Sequence, residues 1–371
     1  MKIINVETIS LAVPLQEPLS FSFGLMTHRK SCLVHITTDE GIEGWGESFV
    51  NHPYWALEER KKTIARAIEP LLVGENPLDV GRLWHKMYGQ LNTIGIQAGC
   101  RGQLMQAISG ADIALWDILG KYKNMPIYEL LGGKFISEAP VYASGLGPKN
   151  PEVRAEASIE LGIRAVKVKV GFGEKTDVRN IRETRKVIGP QGKLMIDANM
   201  GWKPQEALRM ADILSKYRIE WLEEPCSCEE PDHLAYVTAN SPIPVSGGEN
   251  VYCRDGFRKA FSGKLFRIAQ PDVTKTGGIS EMKIICDMAE AWGLPWAPHF
   301  FGNAIGLAAT LHLFAALPGG IIVELDATPN PLCSELLYDP IVIKKGVVPI
   351  PIEPGLGVEV NLETVKRFRI D

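Results

Sequence analysis

The sequence predicts an α/β barrel with an α+β unit ahead of it, and three observations support this. Short β-branched runs alternate with helical segments from residue 139 to residue 325, the pattern of a parallel sheet with crossover helices. Eight such runs fit within roughly 200 residues, as a closed barrel of this type requires. From Asp197 onward the apolar runs end on ionisable residues that recur after 26, 26, 23, 27 and 25 positions, at Glu223, Glu249, Asp272, His299 and Glu324. That interval is one βα unit.

In chain order, residues 2–13 alternate apolar and polar and read as a strand. Residues 31–38 and 42–49 read as a hairpin around Asp39-Glu40-Gly41. The segment 16–29 between these strands reads as irregular, and 50–54 as a second loop. Helical periodicity marks 55–73, 78–90 and 103–122; in the last, Leu104, Ile108, Ala111, Leu115 and Ile118 recur at helical spacing. Asp112 and Asp117 on that helix read as capping or surface charges rather than metal ligands. Residues 1–125 therefore form an α+β unit, and 126–335 the barrel. Its strands are expected at 139–144, 165–170, 193–197, 219–222, 243–246, 265–270, 295–298 and 320–325. Helices are expected at 151–161, 176–188, 204–217, 230–239, 254–262, 278–292 and 303–317. The tail, 336–371, reads as extended structure returning to the N-terminal unit.

Composition narrows the function. The 371 residues are 45% hydrophobic and 23% charged with a net charge of −4, which lacks the basic excess of a nucleic-acid binder. The apolar stretches are too short for a membrane span, and the first residues lack a signal peptide's apolar core. Seven scattered cysteines suggest free thiols and a cytoplasmic location. Cys226 and Cys228 have no second pair to complete a zinc site.

The chemistry is expected at the barrel mouth. In Ala165-Val-Lys-Val-Lys-Val170 both lysines share one face. Alone, this would be a solvated edge strand, but the ionisable series puts Lys167 and Lys169 at the C-terminal mouth, where barrels build active sites. Asp197, Glu223 and Glu249 are hard oxygen donors on adjacent strands and suit one Mg2+ per subunit. Helix capping could explain one of the three but not all. Glu224 is expected to point away. The two lysines, about 7 Å apart, would repel by about 2.4 kcal/mol at an effective dielectric near 20, enough to leave one neutral as a general base. Asp272 next to His299 would fix the tautomer of the imidazole and raise its basicity. Glu324 is expected to be protonated and to hydrogen-bond a developing oxyanion, the alternative being a salt bridge to Lys167.

With the closing Pro354-Gly-Leu-Gly-Val-Glu359, these motifs resemble the mandelate racemase subgroup of the enolase superfamily over nearly the whole chain. The resemblance implies a (β/α)7β modified TIM barrel with an α+β capping domain completed by the C-terminal tail. It implies Lys169 as base with Lys167 its partner, His299 oriented by Asp272 on the opposite face of the substrate, and Glu324 bonded to an enediolate. Asp272 stands where muconate-lactonizing and dipeptide-epimerase relatives carry a lysine base; Lys275 is common to both patterns. Glucarate dehydratase relatives have Asn at the position of Lys167.

The implied substrate is a small-molecule carboxylate, and the implied assembly a homo-oligomer. Dehydration of an acid sugar is the expected reaction, followed by cycloisomerisation of a sugar-acid lactone, then racemisation or epimerisation. Phe21, Phe23, His28, His52 and Asn199, with Thr27, Arg29 and Asn51, are the candidate substrate contacts. A Schiff-base aldolase using either lysine would not need three metal-type carboxylates. A non-catalytic barrel would have lost an acid, base or ligand group, and none is missing.

Overall fold

The computed structural model describes residues 1–370. Three antiparallel strands open the chain: β1 (Ile3–Phe21), β2 (Gly24–Thr38) and β3 (Glu43–Ser48). The segment expected to be irregular is instead the outer half of the β1–β2 hairpin, closed by the pair Phe21↔Gly24. Pro14 and Pro18 break the alternation on which that expectation rested. The ladder absorbs them as a register shift between Pro14 and Leu19.

Helices follow: α1 (Ala56–Thr63), a π-helical turn Ile64–Ile68, α2 (Glu69–Leu72), α3 (Val80–Gln97), α4 (Arg101–Lys123) and α5 (Ile127–Leu130). Helix α4 packs on β3 so closely that a Cβ at Gly46 would lie 1.9 Å from the Gly110 carbonyl oxygen, and one at Gly44 2.1 Å from that of Ala114. Only glycine permits this approach. Val34, Ile36, Met105, Ile108 and Ala111 complete the core of this cap.

The barrel then alternates β4 (Glu138–Leu146), α6 (Pro151–Glu160), β5 (Ala165–Lys169), α7 (Glu174–Ile188), β6 (Lys193–Asp197), α8 (Pro204–Ser215), β7 (Ile219–Glu223) and α9 (Pro231–Asn240). It continues through β8 (Val245–Gly247), α10 (Cys253–Ser262), β9 (Ile268–Ala269), α11 (Gly278–Ala291), α12 (Ala304–Ala316) and β10 (Val323–Asp326). The parallel order is β10-β4-β5-β6-β7-β8-β9. Trp296 bridges Ala269 on one side and Gly320 on the other, closing the ring. The strand expected at 295–298 is thus a single bridge residue.

Within the ring, side-chain alternation builds two layers. Tyr142, Ala165, Met195, Trp221, Ile268, Ala297 and Ile322 form an apolar floor. Two residues further along the same faces stand Lys167, Asp197 and Glu223. Val166 and Val168 face the outer helices.

The tail forms α13 (Pro331–Ser334), β11 (Val347–Pro349) and α14 (Leu362–Phe368). Strand β11 pairs antiparallel with β4 before the chain reaches the cap, where Ile370 N–H donates to the Ser10 carbonyl at 3.0 Å. Asp112 and Asp117 cap backbone groups, but neither lies on the surface. Asp112 accepts from Ser280 N–H and Oγ at 2.9 and 2.6 Å, in the first turn of α11. Asp117 accepts from Trp45 N–H at 3.0 Å and Leu356 N–H at 2.9 Å. The cap is therefore fastened to the barrel and the tail through buried carboxylates. Among the described residues no helix is long and apolar enough to cross a membrane.

Candidate active site

From β5 onward the barrel strands deliver ionisable residues to the same end. The register pairs Lys169 with Asp197, Asp197 with Glu223, and Glu223 with Ser246, so the side chains form a continuous arc. Lys167, Lys169, Asp197, Glu223, Asp272, His299 and Glu324 are all buried. Going round the barrel through β4 and β10, the strand position that carries His299 lies three places from β5, across the lumen.

Lys167 lies between two carboxylates, Glu223 Oε1 at 2.6 Å and Glu324 Oε1 at 2.8 Å. Burial opposes its charge, but those carboxylates outweigh burial and hold its pKa well above the ordinary lysine value. Lys169 pairs with Asp197, and its pKa is likewise raised, Asp197 overcoming burial and the repulsion of Lys167. With Asp197 and Glu223 on the lysines both ammoniums are held charged, so repulsion between the lysines does not by itself give the neutral lysine expected beside a cation. Mutual repulsion is real, but each ammonium has a carboxylate partner within hydrogen-bonding reach.

For Glu324 the structure has the salt bridge to Lys167, the alternative to a protonated acid. Burial pushes its pKa up, but Lys167 and His299 bring it down to about 2, so it is the ionised partner of Lys167. Its Oε2 accepts from Phe300 N–H at 3.1 Å.

His299 Nδ1 lies 2.7 Å from Asp272 Oδ2, and Nε2 lies 2.7 Å from Glu249 Oε2. Against the cost of burial, Glu249, Glu324 and Asp272 raise its pKa well above the ordinary value, which favours the charged ring with a hydrogen directed at each carboxylate. Thr274 N–H and Oγ1 both donate to Asp272 Oδ1, at 2.7 and 2.6 Å, fixing that carboxylate.

The donor set fits a divalent cation, though among the described residues no three side chains converge as a metal cage. Lysine and histidine partners take the carboxylates instead. Six carboxylates at the mouth (Asp197, Glu223, Glu224, Glu249, Asp272, Glu324) face four cations (Lys167, Lys169, Lys275, His299), leaving an excess of two negative charges when all are ionised. The imbalance falls on Glu223, raised to about 7 by burial with Asp197 and Glu324 adding, and on Glu224, raised to about 8 by burial with Glu249 and Asp197 adding. Buried Glu224 Oε2 accepts no hydrogen bond. A hard dication matches this deficit and this oxygen set.

Three residues at the site are ones to which the sequence reading assigns no role there. Glu224 does not point away: a left-handed φ of 39° breaks the strand alternation, and its Oε1 accepts from Asn250 Nδ2 at 2.9 Å. Gln270 Nε2 donates to Glu223 Oε2 at 2.6 Å; its spacing of two from inward-facing Ile268 was the available signal. Lys275, expected to discriminate nothing, is buried with Nζ 3.3 Å from Glu249 and 3.0 Å from Asn250 Oδ1.

The candidate substrate residues divide. Phe21 covers the Lys169 ammonium at 5.4 Å and packs on Phe23 and His52 at 5.4 and 5.3 Å. His52 is held neutral, its pKa lowered to about 4 by burial and the charge of Lys275. Asn199 braces Asp197, its N–H and Nδ2 donating at 2.8 and 3.1 Å. The structure does not bring His28 into this cluster: it is exposed with its ring on Thr27 at 3.0 Å. Arg29 is buried, but Asp326 and Thr328 take its guanidinium, and Asn51 donates to the Phe301 carbonyl.

Residues 3–132 match the family model described as "Mandelate racemase / muconate lactonizing enzyme, N-terminal domain", and residues 152–365 match "Enolase C-terminal domain-like". The chain is 36% identical to D-galactarolactone cycloisomerase of Agrobacterium fabrum, covering 100% of this chain and 99% of that protein. It is 30% identical to D-xylonate dehydratase of Haloferax volcanii, over 91% of this chain and 85% of the relative. The structure of a racemase from Streptomyces coelicolor with bound magnesium superposes with a TM-score of 0.90 at 28% identity, covering 99% of this chain and 100% of that one. The chain belongs to the mandelate racemase / muconate lactonizing enzyme family of the enolase superfamily.

Proposed function

We propose that the protein is a Mg2+-dependent enzyme that removes the α-proton of a sugar acid and expels the β-hydroxyl, giving a 2-keto-3-deoxy acid. The observation that carries this reading is the pairing of a lysine on β5 with an imidazole held by Asp272 across the lumen.

A divalent cation held by Asp197, Glu223 and Glu249 would supply fixed positive charge for the substrate carboxylate and would draw those carboxylates away from the lysines. The two lysines then differ. With Asp197 and Glu223 engaged by a cation, Lys167 would keep Glu324 and its charge, whereas Lys169 would lose Asp197, the carboxylate it pairs with. Beside a fixed ammonium and without its carboxylate, Lys169 has its pKa pushed down and takes the α-proton. His299, bonded to Asp272 through Nδ1 and free at Nε2 if Glu249 holds the cation, would give its Nε2 proton to the departing hydroxyl, which leaves as water. Hydroxide is a poor leaving group, so a charged imidazole suits it.

A second reading is favoured by the likeness to D-galactarolactone cycloisomerase. The same proton removal would expel a ring oxygen of a lactone or anhydro-sugar acid. If the proton returns on the opposite face instead, the outcome is epimerisation. Proton NMR in D2O with Mg2+ separates the three, using D-xylonate, D-galactonate, D-arabinonate, galactarolactone and mandelate. Loss of the α-proton signal with a 3-deoxy-2-keto product is the expected result. Exchange with every hydroxyl retained would make the enzyme an epimerase, and ring opening without release of water a cycloisomerase. No exchange in any substrate, with Mg2+ bound, would remove acid sugars of this panel from the reading.

A further inference from the structure

We propose that Glu47, a residue of the cap, is a positioning residue for the Asp272–His299 pair, so that the cap sets the acid of the reaction as well as covering the mouth. This rests on the role of His299 proposed above.

Glu47 lies on β3, 2% exposed, and reaches into the barrel. Its two oxygens accept from Asn303 N–H, both at 3.0 Å, and Oε2 also accepts from Gly306 N–H at 3.0 Å. These donors belong to the start of α12, the helix that begins five residues after His299. Asn303 Oδ1 takes a third first-turn donor, Ile305 N–H at 2.7 Å, while Asn303 Nδ2 donates to Ser31 Oγ on β2. Every residue of α12 is buried, so these donors depend on protein partners rather than bulk water. Burial raises the Glu47 pKa to about 8 against the pull of the Asn303 and Gly306 N–H groups, so the carboxyl accepts these hydrogen bonds, and its ionised form also complements the positive end of the helix.

The segment fits this carboxylate closely. A Cβ at Gly302 would lie 2.6 Å from Glu47 Oε1, and one at Gly306 2.3 Å from Oε2. Side chains at either position would push Glu47 out.

Phe49, two residues on, holds the other half of the pair. Its N–H donates to the Thr274 carbonyl at 3.3 Å, and Thr274 is the residue that fixes Asp272. Its ring lies 6.5 Å from that of His299. One stretch of cap chain therefore anchors both loops that carry the pair: Glu47 the loop after His299, and Phe49 the loop after Asp272.

The test is the downfield proton resonance of His299 Nδ1–H bonded to Asp272, recorded on the full-length Mg2+-loaded protein and assigned by its absence in His299→Asn. Glu47→Ala removes the acceptors, and Glu47→Gln keeps the shape with one fewer. The expected result is loss or exchange broadening of the resonance in Glu47→Ala and a shift in Glu47→Gln, at unchanged circular dichroism. With the substrate found in the deuterium panel, turnover should fall on the order of tenfold to hundredfold in Glu47→Ala. α-Proton exchange by Lys169 and KM should stay near wild type. An unchanged resonance in both variants would overturn the proposal, as would exchange and turnover falling in equal proportion. Full turnover in His299→Asn would instead refute the reaction itself.

Discussion

Replacing Asp272 by Asn changes one atom, yet the structure predicts a severe loss. Asp272 Oδ1 is committed to two donors, Thr274 N–H and Oγ1, so an amide must keep its oxygen on that side. Its NH2 then faces His299 Nδ1, now 2.7 Å from an acceptor. A protonated imidazole bears hydrogen on both nitrogens, and two donors would oppose each other. The ring must shed its Nδ1 proton and become neutral, and the acid is lost. A hydrogen bond to a charged group is worth about 1.5–3 kcal/mol, which at 1.36 kcal/mol per factor of ten is roughly 10- to 160-fold in rate. Asp272→Asn should lower kcat by at least that factor and move the basic limb of its pH profile to lower pH, while α-proton exchange by Lys169 persists. Steady-state kinetics and deuterium exchange on the same samples check this. A variant within threefold of wild type, with an unmoved pH profile, would refute the argument.

Other parts of the structure give further expectations. Asp197→Asn, Glu223→Gln and Glu249→Gln should each abolish metal-dependent turnover. In wild type, Mg2+ at about a hundred times its Kd should add about 2.7 kcal/mol to stability, read as a rise in Tm that each variant loses. His312, buried in α12, has its pKa lowered to about 4 by burial; its ring bridges Tyr128 N–H at 3.3 Å and the Leu356 carbonyl at 3.0 Å. The folded state thus binds fewer protons there than the unfolded chain, so stability present above pH 6.5 is lost as pH falls towards 4. That contribution is about 3 kcal/mol, and urea titrations at pH 7.5 and 5 should show the difference shrinking in His312→Gln. Gly46→Ala, which would put a Cβ 1.9 Å from the Gly110 carbonyl oxygen, should cost about 1–3 kcal/mol; a wild-type melting curve would contradict the packing described.

Much of the fold and the polar arc was legible because both follow periodicities. A strand period of two and a βα unit near 25 residues carry Lys167 and Lys169 to one face and Asp197 through Glu324 to one end. What periodicity does not encode is the backbone exception and the charge across the lumen. Glu224 enters the site because its φ is left-handed, which no neighbour in the sequence announces. The protonation of Lys169 and Glu324 depends on partners 28 and more than 150 residues away. The hairpin around Ser22 and Phe23 was hidden by its prolines, and the 295–298 strand shrank to Trp296 because β-pairing there is limited to one bridge on each side. Glu47 gave no signal, since its partners are backbone N–H groups of another layer.

The central claim is that Lys169, freed by a cation on Asp197, removes a proton α to a carboxylate. Its most direct test is the rate at which that proton exchanges with D2O under Mg2+, measured for wild type, Lys169→Ala, His299→Asn and Asp197→Asn with the substrate of the panel. The account predicts exchange in wild type and His299→Asn and none in Lys169→Ala or Asp197→Asn. Exchange that survives in Lys169→Ala and vanishes in His299→Asn would contradict it, by making the imidazole the base.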